Sequence, residues 1–262
     1  MNEIISSAEI AGVRIELLER GHGRPLLFLH PGIGIDATAS VLDRLAAQAR
    51  VLAPSHPGFG RSEQPKHMNT VDDLAYFYLD LMEALDLRNV MLVGVSLGGW
   101  IAAEIAVKST ERIGHLVLAD ALGIKVGDRE TRDIADIFAM TEPQFNERAY
   151  FDPAAARRDY PALPEAELVA IARNREAMAR YGWSPYMHDP KLKGRLHRIR
   201  VPTLVAWGAA DRIAAPDYGR AYAAAIPGAR FALIERAGHF PHLEAPDEFA
   251  ARVLAFASES AP

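Results

Sequence analysis

Cysteine is absent from the 262-residue chain, which excludes disulfides, a thiolate nucleophile and a cysteine-based metal site. Long apolar runs are also missing, and none approaches the roughly 20 residues a membrane-spanning helix needs. No basic stripe or acidic tail stands out. Lys and Arg are scattered among Asp and Glu, with a formal net charge of −5, so neither nucleic acid nor a membrane is an expected partner. The opening stretch MNEIISSAEIAGVRIELLER lacks the basic start and apolar centre of a secretion signal, and a cytoplasmic location is the expectation. What remains is half hydrophobic and long enough for one α/β domain with a sizeable core.

Short apolar runs alternate with helix-patterned stretches. Residues 8–20 read as a hairpin turning near Gly12. Strands are expected at 25–30, 51–54, 90–95, 115–120, 202–208 and 230–238, and helices at 38–49, 71–87, 97–109, 216–228 and 246–258. Strands apolar on both faces, separated by helices, predict a mostly parallel central sheet flanked by helices. Residues 122–198 break the rhythm with helical spacing, many charges, several prolines and no strand. They read as an inserted α-helical cap, leaving 1–121 and 199–262 as the core.

Chemistry concentrates at Gly94-Val95-Ser96-Leu97-Gly98, where a predicted strand becomes a predicted helix. A nucleophile on such a turn must project its oxygen above the sheet, and glycines two residues either side remove the β-carbons that would collide there. Serine needs a base, and the base an orienting acid. His239 follows the last strand, where open sheets place catalytic loops. His242 is its rival, read as a residue that packs or bonds locally. Asp211, after the strand at 202–208, is the expected acid. Asp120, ending the strand at 115–120, is the alternative, and Asp217 reads as a helix N-terminal carboxylate. Oxyanion donors are expected from the backbone of Leu97 and from Gly32 or Ile33 in the loop after FLH, with His30 a buried strut.

Together LFLHPG, PSHPGFGRSEQP, VDDLAYFYLDLMEALDL, MLVGVSLGGWIAAEIA, PTLVAWGAADRI and AGHFPHLEAPDEF resemble the α/β-hydrolase superfamily with an inserted cap, nearly end to end. The resemblance implies Ser96 as nucleophile, Asp211 as acid and His239 as base, in the family's chain order. One departure is local: His30-Pro31 stands where the family commonly has His-Gly, which leaves both Gly32 and Ile33 as candidate donors.

Serine at position 96 argues against the resembling dehalogenases and epoxide hydrolases, whose elbow carries aspartate. Esterases, lactonases and carbon–carbon hydrolases of ring-cleavage products remain. The last group usually has GHW followed by polar residues, against His239-Phe240-Pro241-His242 here. The expected substrate is therefore a small apolar ester or lactone, cleaved through an acyl-enzyme, with a ring-cleavage dienoate as the alternative. Arg173 and Arg175 are candidates for a carboxylate clamp and read as solvated helix surface. Trp100, Phe138, Met140, Trp183, Tyr186, Met187 and Phe240 are the candidate pocket residues. An acyltransferase uses the same machinery, and a non-catalytic ligand-binding or signalling protein is the reading from another class. The expected partner is a small molecule, with no cofactor and no metal, and nothing in the sequence bears on oligomeric state.

Overall fold

The apolar runs form the centre of a sheet in the computed structural model, which describes residues 4–35 and 39–258. Its strands are β1 (Ile4–Ile10), β2 (Val13–Arg20), β3 (Pro25–Leu29), β4 (Arg50–Pro54), β5 (Val90–Val95), β6 (Ile113–Ala119), β7 (Thr203–Gly208) and β8 (Arg230–Ile234). They lie in the order β1-β2-β4-β3-β5-β6-β7-β8. β1, β2 and β4 pair antiparallel, and every pair from β4 through β8 is parallel. The expected hairpin closes through Ala11 and Gly12, both at positive φ (48° and 76°). That is the two-residue turn whose twist matches its strands.

Side-chain alternation divides the core into two layers. Leu27, Leu29, Leu92, Leu116, Leu118, Val205 and Trp207 face helices α2 (Val71–Ala84) and α3 (Leu97–Lys108). Their strand neighbours Leu26, Phe28, Met91, Val93, Val117, Leu204 and Ala206 face α1 (Ala39–Ala46) and α9 (Pro246–Ser258). Each fully buried side chain of this kind stabilises by about 1.5–3 kcal/mol, so covering both faces is what holds the parallel strands together. Between β6 and β7 lie α4 (Glu142–Ala149), α5 (Glu165–Gly182) and α6 (Leu192–Arg195), with no named strand among the described residues. The C-terminal part carries α7 (Pro216–Ala225), α8 (Pro241–Glu244) and α9.

Three of the differences from the sequence reading have a local cause. β8 stops at Ile234 rather than 238, because Arg236 takes φ 56°, outside extended backbone. α2 ends at Ala84 rather than 87. Asp86 turns left-handed at φ 42°, and the N–H groups of Asp86 and Leu87 bond back to Glu83 and Met82, closing the helix. α8 is a single turn begun by Pro241, too short to leave a periodic signature.

Candidate active site

Ser96 joins β5 to α3 with φ 55° and ψ −114°, a backbone that a residue with a side chain rarely adopts. The turn is possible because its glycines let backbones touch. A β-carbon on Gly94 would strike the Gly98 carbonyl, and one on Gly98 would strike that of Leu29 on β3. The Ser96 N–H donates to Ala119 O (2.9 Å), while its carbonyl accepts from Trp100 and Leu122 (3.1 and 3.2 Å). The strained turn is thus held by β6 and by the loop leaving it.

Asp211 sits in the turn after β7 and His239 in the loop after β8, both buried. Ser96 Oγ–H donates to His239 Nε2 at 2.8 Å, and His239 Nδ1–H donates to Asp211 Oδ2 at 2.8 Å. The carboxylate fixes the tautomer, so Nε2 presents its lone pair to the serine proton. Asp211 Oδ1 accepts the N–H groups of Ile213 and Ala214 (2.8 and 3.2 Å). The histidine loop is tied to the segment between β6 and β7: His239 N–H donates to Ala149 O at 2.7 Å, and the Glu244 carboxylate accepts N–H bonds from Gly238, Phe151 and Asp152.

Gly32 and Ile33 lie beside Ser96 on the wall of the same cavity. Leu97 is the first residue of α3, where a backbone N–H has no intrahelical acceptor, and its side chain is buried in the core. The Gly32–Ile33 turn is braced from α5. Asn174 donates to Ile33 O (3.0 Å) and accepts from Gly60 N–H (2.9 Å), and Met178 packs so closely on Gly32 that a β-carbon there would displace its side chain.

The cavity has a volume of about 650 Å³. Ile134, Ile137, Phe138, Met178, Ile213 and Phe240 give it an apolar wall, with Met140 and Met187 also on the lining. The polar side chains on its lining include Glu142, Tyr160, Arg158 and Arg175. The Tyr160 hydroxyl donates to Glu142, and both arginines are solvent-exposed, with no carboxylate ion-pair partner among the described residues.

Three candidate pocket residues stand outside the lining. Trp183 is 62% exposed and only flanks Phe138. Tyr186 donates to Ala135 O and accepts from Ile137 N–H, which ties it to the loop before α4. Trp100 is buried against Gly123, with its Nε1–H directed to Glu104. Arg173, one half of the candidate clamp, instead donates to Ser62 O at 2.7 Å. The sequence reading passed over Asn174, Tyr160 and Arg158. A signal for the first was available, because Ile171, Asn174, Arg175 and Met178 follow the i, i+3, i+4, i+7 spacing of one helix face, and all four line the cavity.

Three further histidines are buried and neutral. His30 Nδ1–H donates to Pro31 O, its Nε2 accepts from His56 N–H, and the two rings stack at 3.7 Å. His242 packs among Phe28, Phe240 and Phe249, and neither ring nitrogen has a partner among the described residues. Burial pushes His30 down to about 4 and His242 to about 3 from an ordinary 6.5, and takes His56 well below it. As pH falls the unfolded chain binds these protons first. Stability fully present above about pH 6.5 is therefore lost progressively between there and about pH 3. The melting temperature is expected to drop from about pH 7.5 to about pH 4.5, with His242→Leu flattening the drop. A melting temperature indifferent to pH over that range would contradict the neutral assignment.

Asp217 lies in the first turn of α7, beside Arg220. No helix among the described residues is long and apolar enough to cross a membrane.

Residues 26–252 match the sequence model of the alpha/beta hydrolase family. The chain belongs to that family. Within it, the chain is 28% identical to the 2-hydroxymuconate semialdehyde hydrolase of Pseudomonas sp. (strain CF600), an alignment covering 95% of this chain and 92% of that protein. Its fold is similar to that of the meta-cleavage product hydrolase from Pseudomonas fluorescens IP01, with a TM-score of 0.78, 21% identity and 96% of each chain covered. It is also similar to that of the enol-lactonase from Burkholderia xenovorans LB400, with a TM-score of 0.77, 24% identity, 97% of this chain and all of that one covered (100%).

Proposed function

We propose that the chain is a serine hydrolase that cleaves the carbon–carbon bond of a carboxylate-bearing ring-cleavage product of the 2-hydroxy-6-oxodienoate class. Ser96 is the nucleophile, His239 the base, Asp211 the orienting acid, and the N–H groups of Leu97 and of Gly32 or Ile33 receive the oxyanion. The observation that carries the substrate class is the polarity of the cavity. Ser96 shares its lining with apolar side chains and with a polar group of Glu142, Tyr160 and two exposed arginines, Arg158 and Arg175, that have no ion pair among the described residues. A substrate with an apolar acyl group, whose leaving fragment carries a carboxylate, matches that mixed lining. The similarity to a 2-hydroxymuconate semialdehyde hydrolase supports the same choice.

The chemistry balances on these residues. In the ketonised substrate the 2-hydroxyl proton has moved to C5. Ser96 Oγ attacks the C6 carbonyl as His239 Nε2 takes its proton. The C5–C6 bond breaks, its electron pair delocalises through C4=C3 into the C2 ketone, and His239 returns the proton to the leaving fragment. Water, deprotonated by the same Nε2, then releases the acyl group from Ser96 as a carboxylic acid.

Ester or lactone hydrolysis is the second reading, favoured by the residues after the histidine. Phe240 lines the cavity without a polar group, and Pro241 offers no N–H to manage a dienol. Steady-state rates on 2-hydroxy-6-oxo-6-phenylhexa-2,4-dienoate and on neutral p-nitrophenyl esters decide between them. A higher kcat/KM is expected for the dienoate. Arg175→Glu should raise KM for the dienoate about tenfold, the scale of one charge-assisted hydrogen bond, while leaving the esters unchanged. An ester preference untouched by Arg175→Glu would give the function to the second reading.

A further inference from the structure

Two carboxyl groups stand where the relay needs one. Asp120 follows β6 at φ 44°, a left-handed backbone that turns it toward β7, where Oδ1 accepts the Gly208 N–H at 2.9 Å. Its Oδ2 is buried and has no donor among the described residues. Polar atoms of Asp120, Asp211 and His239 all lie within 4.8 Å of one another, and the two carboxyls are within hydrogen-bonding reach. Adjacent carboxylates sealed from water do not both ionise, so one holds a proton. The donors decide which one. Asp211 receives Ile213 N–H, Ala214 N–H and His239 Nδ1–H, whereas Asp120 receives only Gly208 N–H.

We propose that Asp120 is a positioning residue: as a carboxylic acid it donates its Oδ2 hydrogen to Asp211 and locks that carboxylate onto His239. The otherwise unpartnered oxygen gains its acceptor, and the two acids together carry one negative charge, as in a relay with a single acid. Burial first, then the charge of Asp211, hold the Asp120 carboxyl well above the usual carboxylate range. The titratable groups facing it are Asp211, His239 and Glu244, and Glu244 is itself occupied by three backbone N–H groups. Chain order alone does not reveal this second acid's role, because Asp120 and Asp211 are equally good ends of neighbouring parallel strands.

The proposal rests on the serine-hydrolase reading and not on its substrate, so the test uses a fluorophosphonate probe and a p-nitrophenyl ester. Asp120→Asn presents an amide N–H to Asp211 in place of the O–H and should retain labelling within about threefold, with the acid limb of the pH profile unmoved. Asp120→Leu offers no donor and should label about tenfold more slowly, the scale of one hydrogen bond to a charged group. Its acid limb should move to higher pH, because a less satisfied Asp211 favours the imidazolium. Were Asp120 ionised, both variants would remove a negative charge and move that limb to lower pH, which overturns the proposal. Folding also requires Asp120 to take up a proton above about pH 4, a cost Asn does not carry. The melting temperature of Asp120→Asn should therefore gain on the wild type as pH rises, and a gain independent of pH counts against the protonated form. A cation shared by the three side chains is the competing occupant, and loss of labelling on EDTA treatment would overturn the assignment. A wild type that the probe does not label overturns the serine-hydrolase reading and this proposal with it. A labelled wild type beside a dead but folded Asp120→Asn overturns this proposal alone.

Discussion

Ser96→Ala is expected to abolish fluorophosphonate labelling and to lower turnover by about a millionfold. The size of the effect follows from how little else could attack. Ser96 is the cavity hydroxyl bonded to an imidazole, at 2.8 Å, and that imidazole is in turn bonded to a carboxylate. Thr141 spends its hydroxyl on Gln144, and Tyr160 spends its own on Glu142. The substitution leaves the backbone of the turn in place, because alanine meets the same φ as serine and keeps the contacts of Gly94 and Gly98. Burst titration and steady-state rates on one preparation, with circular dichroism as the folding check, separate lost chemistry from lost structure. Wild-type turnover in Ser96→Ala would remove the elbow as the centre of the reaction.

Asp211→Asn is expected to lower turnover by up to about ten-thousandfold with the fold retained. The asparagine can still accept from Ile213 and Ala214, but its amide turns N–H toward His239 Nδ1. The ring proton is then displaced to Nε2, the atom that must accept from Ser96. Loss of the productive tautomer should show as a fall in kcat with KM little changed, since Asp211 does not line the cavity. A mild Asp211→Asn together with a severe Asp120→Asn would move the acid to the end of β6.

The elbow was legible because its physics is local. Five residues, 94–98, contain the strand end, the two close approaches and the helix start, and each is visible in the letters. Asp211 and His239 were legible for a different reason: strands that alternate with helices must be parallel, so their carboxyl ends converge on one edge. The pocket was harder to read. Trp183 and Tyr186 were chosen for being large and aromatic, yet size does not say which way a cap helix docks. Helical spacing on α5 defines a face without saying what that face meets, so Arg175 read as surface, and it is both exposed and on the cavity lining. The Asp120–Asp211 pairing needed the register of β6 against β7, which places Ala119 opposite Ala206 and thereby brings the two strand ends together.

The bracing of the Gly32–Ile33 turn by Asn174 and Met178 bears on how this protein could be rebuilt. Cap exchange between homologues treats the inserted helices as an interchangeable part that selects substrate while the core supplies chemistry. Here one helix face does both, because α5 lines the cavity and also holds the loop beside Ser96, reaching across to Gly60 on the next loop. A graft that replaced residues 122–198 alone would leave the Ile33 carbonyl and the Gly60 N–H without their shared amide and a gap over Gly32. The smallest unit that can be transplanted intact therefore joins residues 122–198 to the loops following β3 and β4, because the packing and hydrogen bonds of α5 cross that boundary.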